Sequence, residues 1–271
     1  GLRDVDTAAR GAAAGTDELN RNVRGLSALG GIFAGTKIFG VVRKEITATV
    51  TAASDLNEQI SKSQAVFGRD ASAQVEAFAK SANAIGLSER AAIGAAGTFG
   101  NLFTALGLSR DAAAKLSPNV VKLGADLASF NNIGTEDALE KLRSGLVGEI
   151  EPLRALGVSF NAAQVEAKAA ALGLADVNGA VSEGAKVQAR WALILEQTGN
   201  AQGDVERTSG SLANQQRRLA ADFENLQASV GSKLIPAFQA GVQTAEQMIA
   251  VFSALPDKVQ FRPACLYQDD A

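Results

Sequence analysis

The chain has 271 residues, of which 46% are hydrophobic and 20% charged, a balance that excludes an intrinsically disordered protein. Alanine is the commonest of its apolar residues, alongside 27 glycines and only 5% aromatic residues, which favours closely packed helices and predicts an all-α fold. A net charge of -3 argues against the basic surface that nucleic-acid-binding proteins present.

Residues 1–43 are predicted to form an Ala/Gly-rich N-terminal segment that contains one apolar helix. The start of the chain lacks the layout of a secretory signal. Its most apolar window, residues 26–42, places Gly31 and Gly35 at a spacing that lets helices approach closely. This window is interpreted either as a buried packing helix or as a membrane-contacting one. The stretch GGIFAGTK resembles a phosphate-binding P-loop but does not predict nucleotide binding, because Thr36 separates Lys37 from Gly35, whereas the motif needs the lysine directly after its second glycine.

Residues 44–200 are predicted to form a bundle of short helices joined by Gly/Ser-capped turns. The spacing of apolar residues predicts a helix from Lys44 to Phe67, closed by Gly68, and a second one from an Asp70 cap to Ile85. Later helix starts follow one design, in which a glycine stop precedes a capping residue and an alanine-rich run. The predicted caps are Ser88, Ser109, Thr135, Ser159 and Ser182, and Pro118 and Pro152 are predicted at first-turn positions.

Residues 201–256 are predicted to be a long amphipathic helical segment that is kinked or broken at Pro236, and 257–271 a tail of uncertain origin. The preceding helix should bury Val187, Trp191, Ile194 and Leu195. The long segment should begin near Ser211 and carry a heptad-like apolar seam. We predict that this seam is a helix–helix interface formed by Leu212, Leu219, Phe223, Leu226, Val230, Phe238, Val242, Ile249 and Phe252.

Candidate catalytic residues are scarce. Without histidine there is no Ser-His or Cys-His pair, and a metal site would need carboxylates alone. Glu149 and Glu151 flank a turn and are interpreted as solvated charges, and the adjacent Arg217 and Arg218 as a solvated helix face. The single Cys265 has no partner for an internal disulfide and is not interpreted as a nucleophile. We therefore predict no catalytic, cofactor or metal site, and no enzymatic activity.

Four short motifs follow one another along the chain, each occurring once. They are a Leu-Arg-x-x-Gly-Val-Ser turn, an Ile-Leu-x-x-Thr helix end, a Gly-Asp-x-x-x-Thr-x-x-Ser loop and a Gly-x-x-Leu-x-Pro segment, at residues 153–159, 194–198, 203–211 and 231–236. Together with SDLNEQISKSQAVFG at 54–68, they make roughly residues 40 to 255 resemble the amino-terminal conserved region of tail tape measure proteins of tailed bacteriophages. Such proteins are usually longer, so the chain is expected to be part of a larger protein.

The resemblance implies a structural protein that sets tail length, scaffolds assembly of the tail tube from inside its lumen, and is released when DNA is ejected. It implies several parallel copies, a trimer or a hexamer, located in the tail lumen of the virion after synthesis in the host cytoplasm. Implied partners are the tail tube protein, tail-tip or distal tail proteins and tail assembly chaperones, with membrane contact during ejection and no specific nucleic acid.

Two questions stay open from the sequence. The apolar window at 26–42 and the amphipathic residues after Leu212 are also compatible with a membrane-active or pore-forming helical protein. The seam itself has three explanations, which are packing onto the protein's own bundle, self-association of parallel copies, and contact with tail-tube or tail-tip proteins.

Overall fold

The computed structural model describes residues 37–253, with side chains described from Ala48 to Pro236 and at a few later positions. The predictions for residues 1–36, for Cys265 and for the tail at 257–271 lie outside this range. The described residues form ten α-helices and no strand, as the composition predicted. These are α1 (Lys37–Phe67), α2 (Arg69–Ala79), α3 (Glu89–Ala105), α4 (Arg110–Phe130), α5 (Thr135–Val147), α6 (Glu151–Arg154), α7 (Ala162–Ala171), α8 (Glu183–Gln197), α9 (Asp204–Arg207) and α10 (Leu212–Ser253), with a 3-10 turn at Ala82–Ile85.

The chain divides into two compact units. One is Thr51–Val230, and the other includes 37–50 and 231–253. The predicted boundary after residue 200 therefore falls inside the first unit, which includes the beginning of α10.

The first unit is built around α4, which packs against α2, α3, α5 and α9. Its core combines many alanines with larger apolar side chains, among them Phe67, Phe99 and Phe103, which are at most 2% exposed. The rings of Phe99 and Phe103 lie 6.1 Å apart between centroids. The main core forms around α4, and a second, smaller cluster of buried residues is formed by Ala79, Ala82, Ala92 and Ile93.

Helical glycines let neighbouring side chains reach the backbone. A Cβ atom built on Gly100 would lie 2.1 Å from two ring carbons of Phe67, and one built on Gly145 would lie 2.0 Å from Leu153. Both distances are far below van der Waals contact. The close packing expected from the many small residues is thus achieved by inserting a large side chain over each of these glycines.

Several helix starts have the caps that the sequence predicted. The hydroxyls of Ser88, Ser109 and Ser182 each accept a hydrogen bond from the backbone N–H three residues later. Two other predicted caps were wrong. Gly134 instead of Thr135 precedes α5, and a capping box formed by Asn161 and Gln164 starts α7 in place of Ser159.

The prolines correct the prediction for Pro118 and one of the two alternatives for Pro236, the helix break. Pro152 lies in the first turn of α6, as predicted, whereas Pro118 lies inside α4. Pro236 does not break the long segment, because α10 runs without interruption from Leu212 to Ser253. An interior proline removes one backbone hydrogen bond and crowds the preceding turn, and both helices continue past that local loss.

Helix α2 also differs from its prediction. It begins after Gly68 without a side-chain cap from Asp70, and it ends at Ala79. A separate 3-10 turn then reaches Ile85, before Gly86 takes up a left-handed conformation with φ 78°. The single predicted helix from 70 to 85 is therefore two elements.

Candidate helix–helix interface on α10

The turn before α10 is held by a buried carboxylate in the central helix. Asp126 of α4 is only 4% exposed. Its two oxygens accept hydrogen bonds from the backbone N–H groups of Gly203, at 2.8 Å, and Val205, at 3.2 Å. These donors open the short helix α9, whose first backbone N–H groups have no partner within the helix. Asp126 thus fixes α9 against α4.

A second polar cluster joins the start of α10 to the end of α4. Ser129 donates to a carboxylate oxygen of Asp204 at 2.7 Å. Asn214 of α10 donates to the hydroxyl of Ser129 at 2.9 Å and to that of Thr208 at 2.8 Å. Asn214 is 2% exposed. Since every one of these side chains has a partner, the cluster specifies where α10 begins and in which direction it leaves the bundle.

Arg217 extends this attachment by one turn. It donates to the side-chain oxygen of Asn214 at 2.7 Å and to the backbone carbonyl of Ile133 at 3.0 Å. Its Cβ lies 2.8 Å from the position where Gly86 would carry a Cβ, so the helix approaches the backbone there. Arg218 donates to the carbonyl of Ser209 at 2.6 Å. The interpretation as a solvated face was therefore wrong for Arg217, which holds α10 to the bundle.

Further along α10, contacts with the region from the 3-10 turn to α3 continue on the same side. Asn225 accepts from the backbone N–H of Glu89 at 2.8 Å, and Arg90 pairs with Glu224. Ala221 and Ala228 are buried along this line. The side of α10 that faces the bundle is consequently made of polar residues and alanine. We call it the docked face, formed by Asn214, Arg217, Ala221, Glu224, Asn225 and Ala228.

The five large apolar residues in the first part of α10 lie on the opposite side. A helix has about 3.6 residues per turn, so Leu212, Leu219 and Leu226 lie about half a turn away from Asn214, Ala221 and Ala228. All five are between 44% and 71% exposed. We call this surface the exposed seam, formed by Leu212, Leu219, Phe223, Leu226 and Val230.

The exposed seam accounts for five of the nine residues predicted as an interface. The side chains of the other four, Phe238, Val242, Ile249 and Phe252, lie outside those that the structure describes, although their backbone belongs to α10. Of the three explanations for the seam, packing onto the protein's own bundle is not what the described residues show. The bundle is contacted by the docked face instead.

The two glutamates considered for catalysis are surface residues. Glu149 and Glu151 are both exposed, and Glu151 pairs with Arg154 at 2.8 Å. Groups of three or more potential metal-binding side chains do not occur in the described part of the chain.

A cleft of about 310 Å³ lies beside Asp126, where Trp191 is partly buried against the core. Its lining includes Asn119, Lys122, Leu123, Asp126, Trp191, Leu195, Gln202 and Gly203.

Sequence reasoning found the exposed seam but missed the docked face. The seam has a signal in sequence, since large apolar residues recur at helical spacing. The docked face has no such signal, because Asn214, Arg217 and Glu224 are residues that usually face water. One pattern that pointed to it is the loop motif at 203–211, whose polar members Asp204, Thr208 and Ser211 all hydrogen-bond around the start of α10.

No helix among residues 37–253 has a stretch long and apolar enough to cross a membrane. Comparisons of the chain with protein-family models, with curated proteins and with solved structures gave no match.

Proposed function

We propose that this protein is a structural component that assembles side by side with further copies of itself through the exposed seam of α10. We further propose that it acts as the amino-terminal part of a phage tail tape measure protein, in the tail lumen, where it scaffolds the tube. The observation that carries the proposal is the exposed seam, five large apolar side chains on a helix whose opposite face is already attached to the bundle.

Contiguous exposed apolar surface on one helix face is uncommon in monomeric proteins and marks interaction sites. Fully burying one side chain of the Leu, Val or Phe type stabilises an association by about 1.5–3 kcal/mol. The seam offers five such side chains on a rigid element, so little ordering is needed when a partner binds. The spacing of seven residues from Leu212 to Leu219 and to Leu226 is that of a coiled-coil contact.

One of the motifs behind the resemblance, the loop at 203–211, has a structural role in this bundle. Gly203, at φ 73°, starts α9 in a left-handed conformation. Asp204 and Thr208 form the polar cluster at the start of α10, and Ser211 accepts from the N–H of Asn214 at 3.2 Å. The loop motif thus attaches the beginning of α10, a helix of 42 residues, to the Thr51–Val230 unit. This arrangement suits a scaffold that aligns long helices, and supports the proposal.

Charged residues in the exposed seam test the proposal. A chain with Phe223→Glu and Leu226→Glu is expected to be a folded helical monomer, whereas the unmodified chain assembles. Assembly would bury unpaired carboxylates at a cost of several kcal/mol, but in the monomer both side chains stay in water. Sedimentation velocity gives the oligomeric state, and circular dichroism gives the helix content.

A matched control carries Leu172→Glu and Val177→Glu, two apolar residues that are exposed outside α10. This control should assemble like the unmodified chain, because it loses the same kind of apolar surface elsewhere. An unmodified chain that stays monomeric at all concentrations would count against self-association. Loss of helix in the Phe223 and Leu226 variant would show that the seam belongs to the protein's own core.

A further inference from the structure

One polar residue interrupts the heptad pattern of the exposed seam. In heptad notation, Leu212, Leu219 and Leu226 occupy position d, and Phe223 and Val230 occupy position a. The remaining a position between Leu212 and Val230 is Gln216, which is exposed in the structure. We propose that Gln216 sets the orientation and register of self-association, so that copies pair in parallel with Gln216 facing Gln216. This inference rests on the proposed self-association through the seam.

The docked face leaves room for a partner on the seam. Its residues Asn214, Ala221 and Ala228 occupy position f, which points away from the partner in a coiled coil. The positions beside the seam, e and g, carry between 213 and 229 a single charged residue, Asp222. Two copies can therefore approach with their bundles on the outside and without repulsion between like charges. A second copy fits this surface because it offers the same apolar layers in the same order.

The two possible orientations treat Gln216 differently. In a parallel pair in register, each layer contacts its equivalent, and two glutamine amides can each donate and accept. In an antiparallel pair that covers the whole seam, Leu212 faces Val230, and Gln216 faces Leu226. The amide then lies in an apolar layer without a hydrogen-bond partner, which disfavours that pairing. A single polar residue at an a position is known to select register in coiled coils.

Single cysteines distinguish these orientations in the full chain. With Cys265→Ser as background, one chain carries Leu212→Cys, and a second, tagged to differ in size, carries Val230→Cys. Under oxidising conditions each chain alone should form disulfide-linked dimers, and the mixture should give few mixed dimers. In parallel copies residues 212 and 230 are about 27 Å apart along the helix, whereas a disulfide needs Cα atoms within roughly 7 Å.

Adding Gln216→Leu to both chains tests the role of the amide. The share of mixed dimers should rise about tenfold or more, since the antiparallel pair no longer buries an unpaired amide. Gln215→Leu, at the neighbouring g position, is the matched control and should leave the share unchanged. Gln216→Asn should keep it low.

Two results would overturn the inference while leaving the proposed function intact. One is an excess of mixed dimers in chains that retain Gln216. The other is an unchanged share of mixed dimers after Gln216→Leu in chains that assemble. Sedimentation of the same samples identifies the remaining case, in which the chain does not assemble at all, and both the inference and the proposed function are then wrong.

Discussion

Gly100→Ala is expected to destabilise the Thr51–Val230 unit by about 1–3 kcal/mol, the cost of overfilling a packed core. The new methyl group would lie 2.1 Å from two ring carbons of Phe67. That ring is 2% exposed and packs in the core with Phe99 and Phe103. It cannot move aside without displacing the end of α1. Urea denaturation followed by circular dichroism measures the loss.

The control for this prediction lies three residues earlier in the same helix. Gly97 is buried, but a Cβ built on it has no heavy atom within 4 Å. Gly97→Ala should therefore be neutral or stabilising by up to about 1 kcal/mol, because alanine favours a helix more than glycine does. Equal stability changes in the two variants would show that Phe67 does not occupy the space over Gly100.

Asp126→Ala is expected to destabilise the same unit by about 2–3 kcal/mol. The backbone N–H groups of Gly203 and Val205 would lose their acceptor, and each unsatisfied buried donor costs about 1–3 kcal/mol. Because α9 and the polar cluster around Asp204 precede α10, the attachment of α10 should loosen as well. Urea denaturation measures the stability, and amide hydrogen exchange at Gly203 and Val205 should become faster.

Two variants separate the loss of the hydrogen bonds from Asp126 to α9 from the general effect of removing a carboxylate. Asp126→Asn keeps one side-chain oxygen and should be intermediate in stability. Glu166→Ala removes an exposed carboxylate from α7 and should change stability little. Unchanged exchange at Gly203 and Val205 in Asp126→Ala would mean that the carboxylate does not hold α9.

The fold class and many helix starts could be predicted from local sequence. Ser88, Ser109 and Ser182 lie at caps because a short side-chain oxygen after a glycine stop satisfies free N–H groups nearby in sequence. The position of Pro118 in its helix was predicted wrongly. An interior proline costs one backbone hydrogen bond, but the packing of the whole of α4 against four other helices offsets that cost. No short stretch of sequence contains that information.

For the candidate interface too, the local pattern could be predicted from sequence, but the features that depend on distant contacts could not. The exposed seam could be found because large apolar residues at helical spacing are visible in any single helix. The solvent exposure of the seam could not be predicted from the sequence, because it depends on which side of α10 the bundle occupies. That side is decided by pairs such as Asp126 with Gly203 and Asn225 with Glu89, which are 77 and 136 residues apart.

The exposed seam also determines how assembly should respond to temperature. Burial of its five apolar side chains carries a negative change in heat capacity, and hydrophobic driving forces weaken on cooling. Copies that associate at 25 °C should therefore partly dissociate near 4 °C and reassociate on warming. Since Asp222 is the single charge beside the seam between residues 213 and 229, sodium chloride should change this equilibrium much less than sodium sulfate, which favours burial of apolar surface.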